Sequence, residues 1–593
     1  MPGDIVTLIV VTIMFLALVS EIFEPVLIFF ITLVVLMSFG VIDIQGAVAG
    51  FSNPGVMTIA ALFVVAGTVQ KSPYMFNFSN KIFGDSYEGN KSILKFMIPV
   101  TLFSAFMNNT PIVSLFIPLV RDWCRKINIS PSKFLIPLSY TSIFGGMLTL
   151  IGTSTNLVVS GMMENHGYEP LGMFQISKVS IFLVIAGTVY LIIFGYKILP
   201  DNKDTINRVK NNSREYLVQF YVEEDSPIAG KTVEQASLRN LDGLYLVEIK
   251  RREKKTIVPV ERDELIRGGD ILVFTGRIDT LAQLQAIEGL KIHDTSKFDM
   301  EDLKNGTAEI IEAVISESFP FLHGTIKETR FSNYYDGAVI AVIRNGERLK
   351  IKIGDIKLQS GDTILLLAKK GFQDRWGDAR DFYLMTSHVT ESYLIKERAW
   401  IPLVSFGVTI VLAAFNIVPI LHASFIGISL LFITKTVEPR ECLKIIDWPT
   451  IIVIAFSFGI GGAMIGSGAA SLIAVKLIDI TKGMNGYGAL AIVYIMTNIL
   501  TELITNNAAA ILAFPIALEV SRSLGISHLP FSIVVAIAAT SSFSSPYGYQ
   551  TNLMVYGPGG YKYKDFIKIG LPLNILFMII SVILIPIFYP FNN

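Results

Sequence analysis

Along most of this chain apolar residues run in unbroken blocks, and only the middle third alternates. Blocks of about 20 residues, the length a helix needs to cross a bilayer, lie near 4–20, 25–43, 54–70, 92–120, 134–162 and 172–198. A second set lies near 399–415, 418–435, 448–470, 486–520, 527–556 and 567–589. Four of these (92–120, 134–162, 486–520 and 527–556) are over-long or broken by polar residues, and they hold matching places in the two sets. The first block, DIVTLIVVTIMFLALVS, has no basic segment before it and runs into a second apolar one, so it reads as a retained helix rather than a cleaved leader. Segment 71–91, aromatic and basic without a spanning run, fits an interfacial helix or loop. In the middle third, runs such as YLVEIK and VIAVIR alternate and end in Gly-Asp or Asn-Gly turns, which predicts strands.

Charge follows the same division. Of the 49 basic and 49 acidic residues, 63 fall between 201 and 400, so two membrane blocks flank a water-exposed one. With 52% hydrophobic and 17% charged residues in 593, the composition argues against an ordinary soluble enzyme. The balanced charge offers no field to attract nucleic acid, which is excluded as a partner. Cys124 and Cys442 stand far apart without metal-ligand neighbours and read as ordinary buried thiols. The six histidines fall in loops, at span edges or in the charged block, against a His proton relay. Loop 121–133 carries Arg121, Arg125, Lys126 and Lys133, whereas the loop near 162–172 carries Glu164 and Glu169 and no Lys or Arg. The first loop is therefore expected in the cytoplasm, together with YKYKDFIK (561–568) and the charged block. The run GIGGAMIGSG (459–468) lies in an apolar span and suits close helix packing.

The middle block repeats itself. DSPIAGKTVEQ, DGLYLVEIKR and GGDILVFTG are answered by SFPFLHGTIKE, DGAVIAVIRNG and SGDTILLLA, so that Gly230 matches Gly324, Gly243 matches Gly337 and Asp270 matches Asp362. This resembles a tandem pair of the C-terminal lobes of RCK (regulator of potassium conductance) domains. The resemblance implies small α/β lobes that sense a ligand, a divalent cation, a nucleotide or a cyclic dinucleotide; a purely structural role is the alternative. No strand followed by G-x-G-x-x-G and a helix occurs, so the nucleotide-binding half of such regulators is missing.

The membrane blocks repeat as well. FMNNTPIVSLFIPLV (106–120) aligns with LITNNAAAILAFPIAL (503–518), pairing Asn109 with Asn506 and Pro118 with Pro515, each 397 apart. IGTSTNLVVSG (151–161) aligns with YGYQTNLMVYG (547–557), pairing Thr155 with Thr551 and Asn156 with Asn552, each 396 apart. Upstream, Pro54 matches Pro449 and Gly67 matches Gly462, both 395 apart. The Tyr-Gly-Tyr at 547–549 looks like a potassium filter, but such a filter takes four equivalent loops of backbone carbonyls, and the partner of this one reads Ile-Gly-Thr. What the copies share is Gly-x-x-Thr-Asn.

Polar, glycine-interrupted backbone at membrane depth survives only inside protein or along a cavity. In a carrier built from two repeats such breaks offer half-helix N-termini to an anion and unwound carbonyls to cations. The span after Pro118 ends at the basic loop, whereas its twin after Pro515 ends at SRSLGISH, outside by the same count, so the repeats are expected to be inverted. The side chains at the breaks are neutral: Asn108, Asn109, Thr110, Thr153, Ser154, Thr155 and Asn156, with Thr505, Asn506, Asn507, Gln550, Thr551 and Asn552. With no Lys or Arg among them, and about half an elementary charge per helix end, a divalent anion needs bound cations to offset its charge. Sodium is the expected coupling ion.

These residues resemble the divalent anion:sodium symporters. The family's Ser-Asn-Thr at two re-entrant hairpin tips corresponds to Asn108-Asn109-Thr110 and Thr505-Asn506-Asn507, and its broken-helix loops to GTSTN and GYQTN. The resemblance covers both membrane halves, and the inserted lobes match a microbial branch often assigned to sulfate. It implies an α-helical polytopic membrane protein with inverted repeats and two re-entrant hairpins, into which two small α/β cytoplasmic lobes are inserted. The expected units are 1–198 (first repeat), 205–291 and 305–390 (the RCK C-terminal-like lobes) and 399–593 (second repeat). The implied substrate residues are Asn109, Thr110, Thr153, Ser154, Thr155, Asn506, Asn507, Gln550 and Thr551. The implied sodium residues are Asn108, Asn109, Gly152 and Asn156 in one site, and Thr505, Asn506, Gly548 and Asn552 in the other. A homodimer, elevator motion, a bacterial inner-membrane location and the absence of any further cofactor are implied too.

Two departures bear on the substrate. Dicarboxylate-transporting members carry Pro-Pro-Asn in the loops, whereas this chain has Ser154-Thr155-Asn156 and Gln550-Thr551-Asn552, which favours a smaller oxyanion such as sulfate. Asn108 and Asn507 replace hydroxyl residues. Glu502, one helical turn before Asn506, is a candidate coupling carboxylate; the alternative is a solvated group beside a Thr or a backbone N–H. The competing function is a cation carrier or channel regulated by the same lobes. A membrane enzyme finds no His, Cys or carboxylate arrangement with catalytic spacing.

Overall fold

The long apolar blocks form helices whose outward faces stay apolar. The computed structural model describes residues 2–20, 23–70, 72, 90–127, 129–202, 217–238, 244–251, 256–257, 260–276, 287–292, 308–329, 331–344, 347–349, 351, 353–369, 372–376, 381–385, 398–415, 417–480 and 485–592. The proposed interfacial segment 71–91 lies almost wholly outside them, as does Gly243.

The first set comprises α1 (Gly3–Ser20), α2 (Pro25–Ser38), α3 (Pro54–Gln70), α4 (Asn90–Ser104), α5 (Asn109–Lys126), α6 (Leu135–Gly146), α7 (Ser154–Asn165) and α8 (Ser177–Tyr190), which continues through a π turn to Ile198. The second comprises α9 (Ile401–Ala414), α10 (Ile420–Ile433), α11 (Trp448–Gly466), α12 (Ala469–Ile480), α13 (Asn485–Leu503), α14 (Asn506–Leu524), α15 (His528–Thr540), α16 (Gln550–Tyr556) and α17 (Tyr563–Phe588). Each first-set helix has a counterpart near the expected displacement, and even the short helix Ile44–Val48 is answered by Pro439–Ile445. All four over-long blocks break in two at their polar residues, between α4 and α5, α6 and α7, α13 and α14, and α15 and α16.

Among the described residues seven helical stretches are long and apolar enough to cross a membrane. The blocks expected near 25–43, 399–415 and 418–435 form helices of only 14 residues, about 21 Å long. They stop early because left-handed turns close two of them, at Gly40 (φ 69°) and Lys435 (φ 51°). Along α17 the exposed residues Leu571, Ile575, Ile579, Ile583 and Ile587 recur every fourth position. Such a stripe suits a lipid surface and would be costly in water. Within the glycine run, Gly459 packs on the Ala47 backbone and Gly461 on Met162, but Gly462, Gly466 and Gly468 face open space, so close packing accounts for only part of it.

The matched helices α5 and α14 point opposite ways. The end of α5 leads to Ser132, whose carbonyl accepts from the Tyr561 hydroxyl at 2.5 Å and whose hydroxyl donates to the Pro200 carbonyl at 2.8 Å. The end of α14 lies beside Tyr168, which meets Arg522 at 3.4 Å and stacks on His528 at 3.8 Å, while Ser527 N–H donates to the Phe591 carbonyl at 2.9 Å. Helix α17 runs from the first end to the second. The basic loop, YKYKDFIK and the approach to the charged block thus share one end, and the Glu164–Glu169 loop and SRSLGISH share the other.

Among the described residues the middle block forms two five-stranded antiparallel sheets. Strands β1 (Leu217–Val222), β2 (Leu244–Lys250), β3 (Thr256–Ile257), β4 (Ile271–Gly276) and β5 (Leu290–Ile292) are ordered β3-β2-β4-β1-β5. Strands β6 (Ala308–Ile315), β7 (Gly337–Arg344), β8 (Glu347–Arg348), β9 (Thr363–Lys369) and β10 (Phe382–Met385) repeat that order as β8-β7-β9-β6-β10. Their details repeat too: β2 and β7 each carry a register shift, at Leu246/Glu248 and Val339/Ala341. Arg251 and Arg344 each face the matched aspartate, Asp270 and Asp362, and donate to the matched carbonyls of Leu265 and Lys357 at 2.6 and 2.7 Å. Strand β5 runs one residue past the expected bound at 291, and the bounds at 205, 305 and 390 lie outside the described residues.

Each sheet has its own apolar core, but Val314 of β6 belongs to the core of the helices. There the second sheet sits on α5 and α16. Arg121 of α5 pairs with Glu312 of β6 at 3.0 Å, their side chains 2% and 3% exposed. Gly557, at the end of α16, leaves no room for a side chain against Thr363, and Gly361 packs on Leu553.

Candidate functional site

The four helix breaks meet at one junction, because each polar break must find partners within the protein. Helices α5, α7, α14 and α16 begin there, and their first turns are tied together crosswise. Thr110 Oγ1 donates to Gln550 Oε1 at 3.0 Å, and Ser154 Oγ donates to Asn507 Oδ1 at 3.0 Å. Since Thr110 pairs with Asn507 and Ser154 with Gln550 in the repeat register, this is one contact made twice. Each tip binds the other repeat's loop. Asn506 Nδ2 donates to Thr155 Oγ1 at 2.8 Å, Thr155 Oγ1 to Asn507 Oδ1 at 3.3 Å, and Asn109 Nδ2 to the Tyr549 hydroxyl at 2.6 Å. Thr153 Oγ1 lies 3.3 Å from that same hydroxyl.

The breaks themselves are held open by matched bonds. Asn156 Nδ2 donates to the carbonyls of Gly146 and Thr149 at 3.3 and 2.9 Å, and Asn552 Nδ2 to those of Ser542 and Ser545 at 2.9 and 3.0 Å. These carbonyls at and beyond the ends of α6 and α15 would otherwise lack partners. Ser104 Oγ donates to the Ser142 carbonyl at 2.7 Å, as Thr501 Oγ1 does to the Ala539 carbonyl at 2.6 Å.

The glycines of the two loops are wedged among carbonyl ends. A Cβ on Gly152 would lie 2.7, 2.8 and 2.9 Å from the carbonyl oxygens of Gly146, Ser104 and Ala105. One on Gly548 would lie 2.3 Å from the Thr501 carbonyl oxygen and 2.2 Å from Ser542 Oγ. Of Tyr547-Gly548-Tyr549, Gly548 is thus packed against α13, Tyr549 is buried against Asn109, and Tyr547 is exposed beside Tyr556 and Tyr563, an uneven arrangement unlike a row of pore-lining carbonyls.

Helix N-termini, which favour negative charge, therefore face the junction, and C-terminal carbonyls, which favour cations, gather beside Gly152 and Gly548. The hydrogen-bonding groups at the junction are neutral amides and hydroxyls. Such an arrangement can hold an anion by donors and helix ends, with hard oxygen ligands for a cation close by.

Not every expected residue reaches the centre. Asn108 and Thr505 cap α5 and α14 without a side-chain cap bond, and Asn108 lines a small cavity with Ser154 against Ile59, Leu62 and Phe63 of α3. Thr551 Oγ1 accepts from Ser139 Oγ at 2.9 Å, behind the junction. Glu502 lies behind it as well. Its Oε1 accepts from the backbone N–H groups of Phe543 and Ser544, both at 2.9 Å, and from Asn574 Nδ2 at 2.6 Å, while Oε2 accepts from Ser542 Oγ at 3.3 Å. The backbone N–H partners match those the alternative reading of Glu502 names, and the residue is half-buried. Ser104, Ser139 and Tyr549 belong to the network and were not foreseen. For Tyr549 a signal existed, a phenol standing opposite Thr153 in an otherwise polar-matched register.

The citrate transporter family model matches residues 14–536. A putative sulfur deprivation response regulator of Chlamydomonas reinhardtii is 33% identical, over 92% of this chain and 94% of that protein. An uncharacterized transporter of Synechocystis sp. is 31% identical, over 94% of this chain and 92% of its own length. Sodium/sulfate cotransporter 2 of Chlamydomonas reinhardtii is 23% identical, over 91% of this chain and 84% of its own.

Proposed function

The chain belongs to the citrate transporter family, and from that premise we propose that it is a sodium-coupled carrier of a divalent oxyanion, sulfate rather than a dicarboxylate. The observation that carries the reading is the crossed pair Thr110–Gln550 and Asn507–Ser154, which joins two tips and two loops into one neutral polar junction. The four helix breaks are two re-entrant hairpins and two broken helices of inverted repeats; the opposite directions of α5 and α14 support this. Asn109, Thr110, Thr153, Ser154, Thr155, Asn506, Asn507 and Gln550 surround the anion, with Thr551 behind them on Ser139. Sodium binds on either side, near Asn108, Asn109, Gly152 and Asn156, and near Thr505, Asn506, Gly548 and Asn552. Four helix ends at about half a charge each do not by themselves hold a dianion against its loss of hydration. Bound sodium adds full charges where the helix ends offer only partial, spread ones, which is the physical reason for coupling. Glu502 serves this reading as a fixed negative charge behind the second sodium site rather than as a proton carrier, since the contacts it makes are all with donors.

Sulfate is favoured over a dicarboxylate by the loops, which lack Pro-Pro-Asn, and by the sodium/sulfate cotransporter among the relatives. An elevator motion within a homodimer in a bacterial inner membrane completes the proposal. The two sheet units are RCK C-terminal-like cytoplasmic lobes that regulate transport in response to a small ligand. Support for that comes from the second sheet, which rests on α5 and α16, the helices that carry a tip and a loop of the junction.

Reconstituted into liposomes, the protein is expected to take up labelled sulfate under an inward sodium gradient. Asn109→Ala and Asn506→Ala are each expected to reduce uptake at least tenfold, the loss of one hydrogen bond to a charged ligand. Uptake at full rate without sodium would overturn the coupling.

A further inference from the structure

The crossed pairing at the junction fails at Thr551. Asn506 donates to Thr155, so the mirrored bond should run from Asn109 to Thr551. Thr551 instead bonds Ser139 at 2.9 Å, and Asn109 donates to the hydroxyl of Tyr549 at 2.6 Å. Tyr549 occupies the position where the first loop has Thr153, and these two matched side chains touch each other at 3.3 Å. A phenol thus reaches across the line that relates the two repeats, where the other loop sends only a short hydroxyl. The residue is 6% exposed, so the volume it fills is inside the protein and adjoins both loops and the first tip.

Resting on the reading above, we infer that Tyr549 is the size filter of the anion site. Its ring takes the space a longer dianion needs, and its hydroxyl is a neutral group that a compact tetrahedral oxyanion can use. The asymmetry has a chemical sense. Two threonines at 153 and 549 would leave a wider, two-sided slot for a molecule with a carboxylate at each end. One tyrosine shortens that slot to a single centre.

The test compares sodium-driven uptake of labelled sulfate, with and without competing succinate, by wild type, Tyr549→Phe and Tyr549→Thr. Wild type should take up sulfate and resist succinate. Y549F keeps the ring and should keep the discrimination, while the KM for sulfate rises roughly tenfold from the lost hydroxyl. Y549T copies the first loop and should let succinate compete at least tenfold better relative to sulfate. A purely structural tyrosine would lower uptake of both anions together and leave that ratio alone. Should Y549T fail to accumulate, Tyr549→Leu, which removes less volume, should move the ratio the same way. Wild-type sulfate uptake with an unchanged ratio in the smaller variant overturns this inference alone. Uptake of neither anion by wild type overturns the reading on which it rests.

Discussion

Glycine 548 shows how little freedom a single position has at the junction. A methyl group there would sit 2.2 Å from Ser542 Oγ and 2.3 Å from the Thr501 carbonyl oxygen, and backbone cannot swing aside as a side-chain tip can. Gly548→Ala should therefore cost about 1–3 kcal/mol from overpacking and abolish uptake, seen as a lowered melting temperature in detergent and a flat transport trace. Gly462, in the same membrane half, has no atom within 4 Å of such a methyl. Gly462→Ala should leave transport intact and stabilise by about 0.5–1 kcal/mol, the usual gain of alanine over glycine inside a helix. The tip residues were legible because two copies of an amide–hydroxyl cluster in one register rarely arise without a shared role. For Tyr549 the register with Thr153 was the one signal, and the partner of its hydroxyl, Asn109, stands 440 positions away and is set only by packing.

A broken helix exposes carbonyls that water cannot reach, and here an asparagine from the next helix binds them. Asn156 and Asn552 do so with the same two acceptor positions, ten and seven residues back. Asn156→Ala and Asn552→Ala should each lower stability by about 1–3 kcal/mol, the cost of leaving buried acceptors unmet. Asn552→Ala should be the worse, since Asn552 Oδ1 also accepts from Ser139 Oγ at 2.7 Å. Thermal melts without sodium or substrate would measure this apart from ligand effects; a harmless Asn552→Ala would contradict the account of the breaks. These breaks could be read in advance from Gly, Asn and Thr interrupting apolar runs. The early stop of α2 could not, because hydropathy carries through Gly40 while the backbone turns left-handed there.

Across the whole molecule the Arg121–Glu312 pair joins the second sheet to the helix that carries the first tip. Removing one partner breaks a buried ion pair, so Arg121→Met and Glu312→Leu alone should each destabilise the protein. The double substitution should recover most of that loss, because two apolar side chains need no desolvation. Melting of the four proteins gives the coupling directly, and additive losses would mean that the two residues do not act as a pair. If the second sheet restrains α5 and α16, sodium-driven uptake by the single variants should also change at equal protein in the membrane.

Periodicity, breaks and displaced copies are properties of a one-dimensional string. The chain alone therefore specified helices in two matching sets, a doubled strand unit between them, and four polar interruptions with their amides and hydroxyls. Contacts between positions hundreds of residues apart carry no such trace. That each tip would bind the opposite loop, that a tyrosine would replace a threonine as the acceptor for Asn109, and that the second sheet would bury an ion pair on α5 all depend on distances set by packing. A pattern in sequence fixes which face of an element is apolar, whereas the partner of a lone polar group on that face is chosen only when the elements close around it.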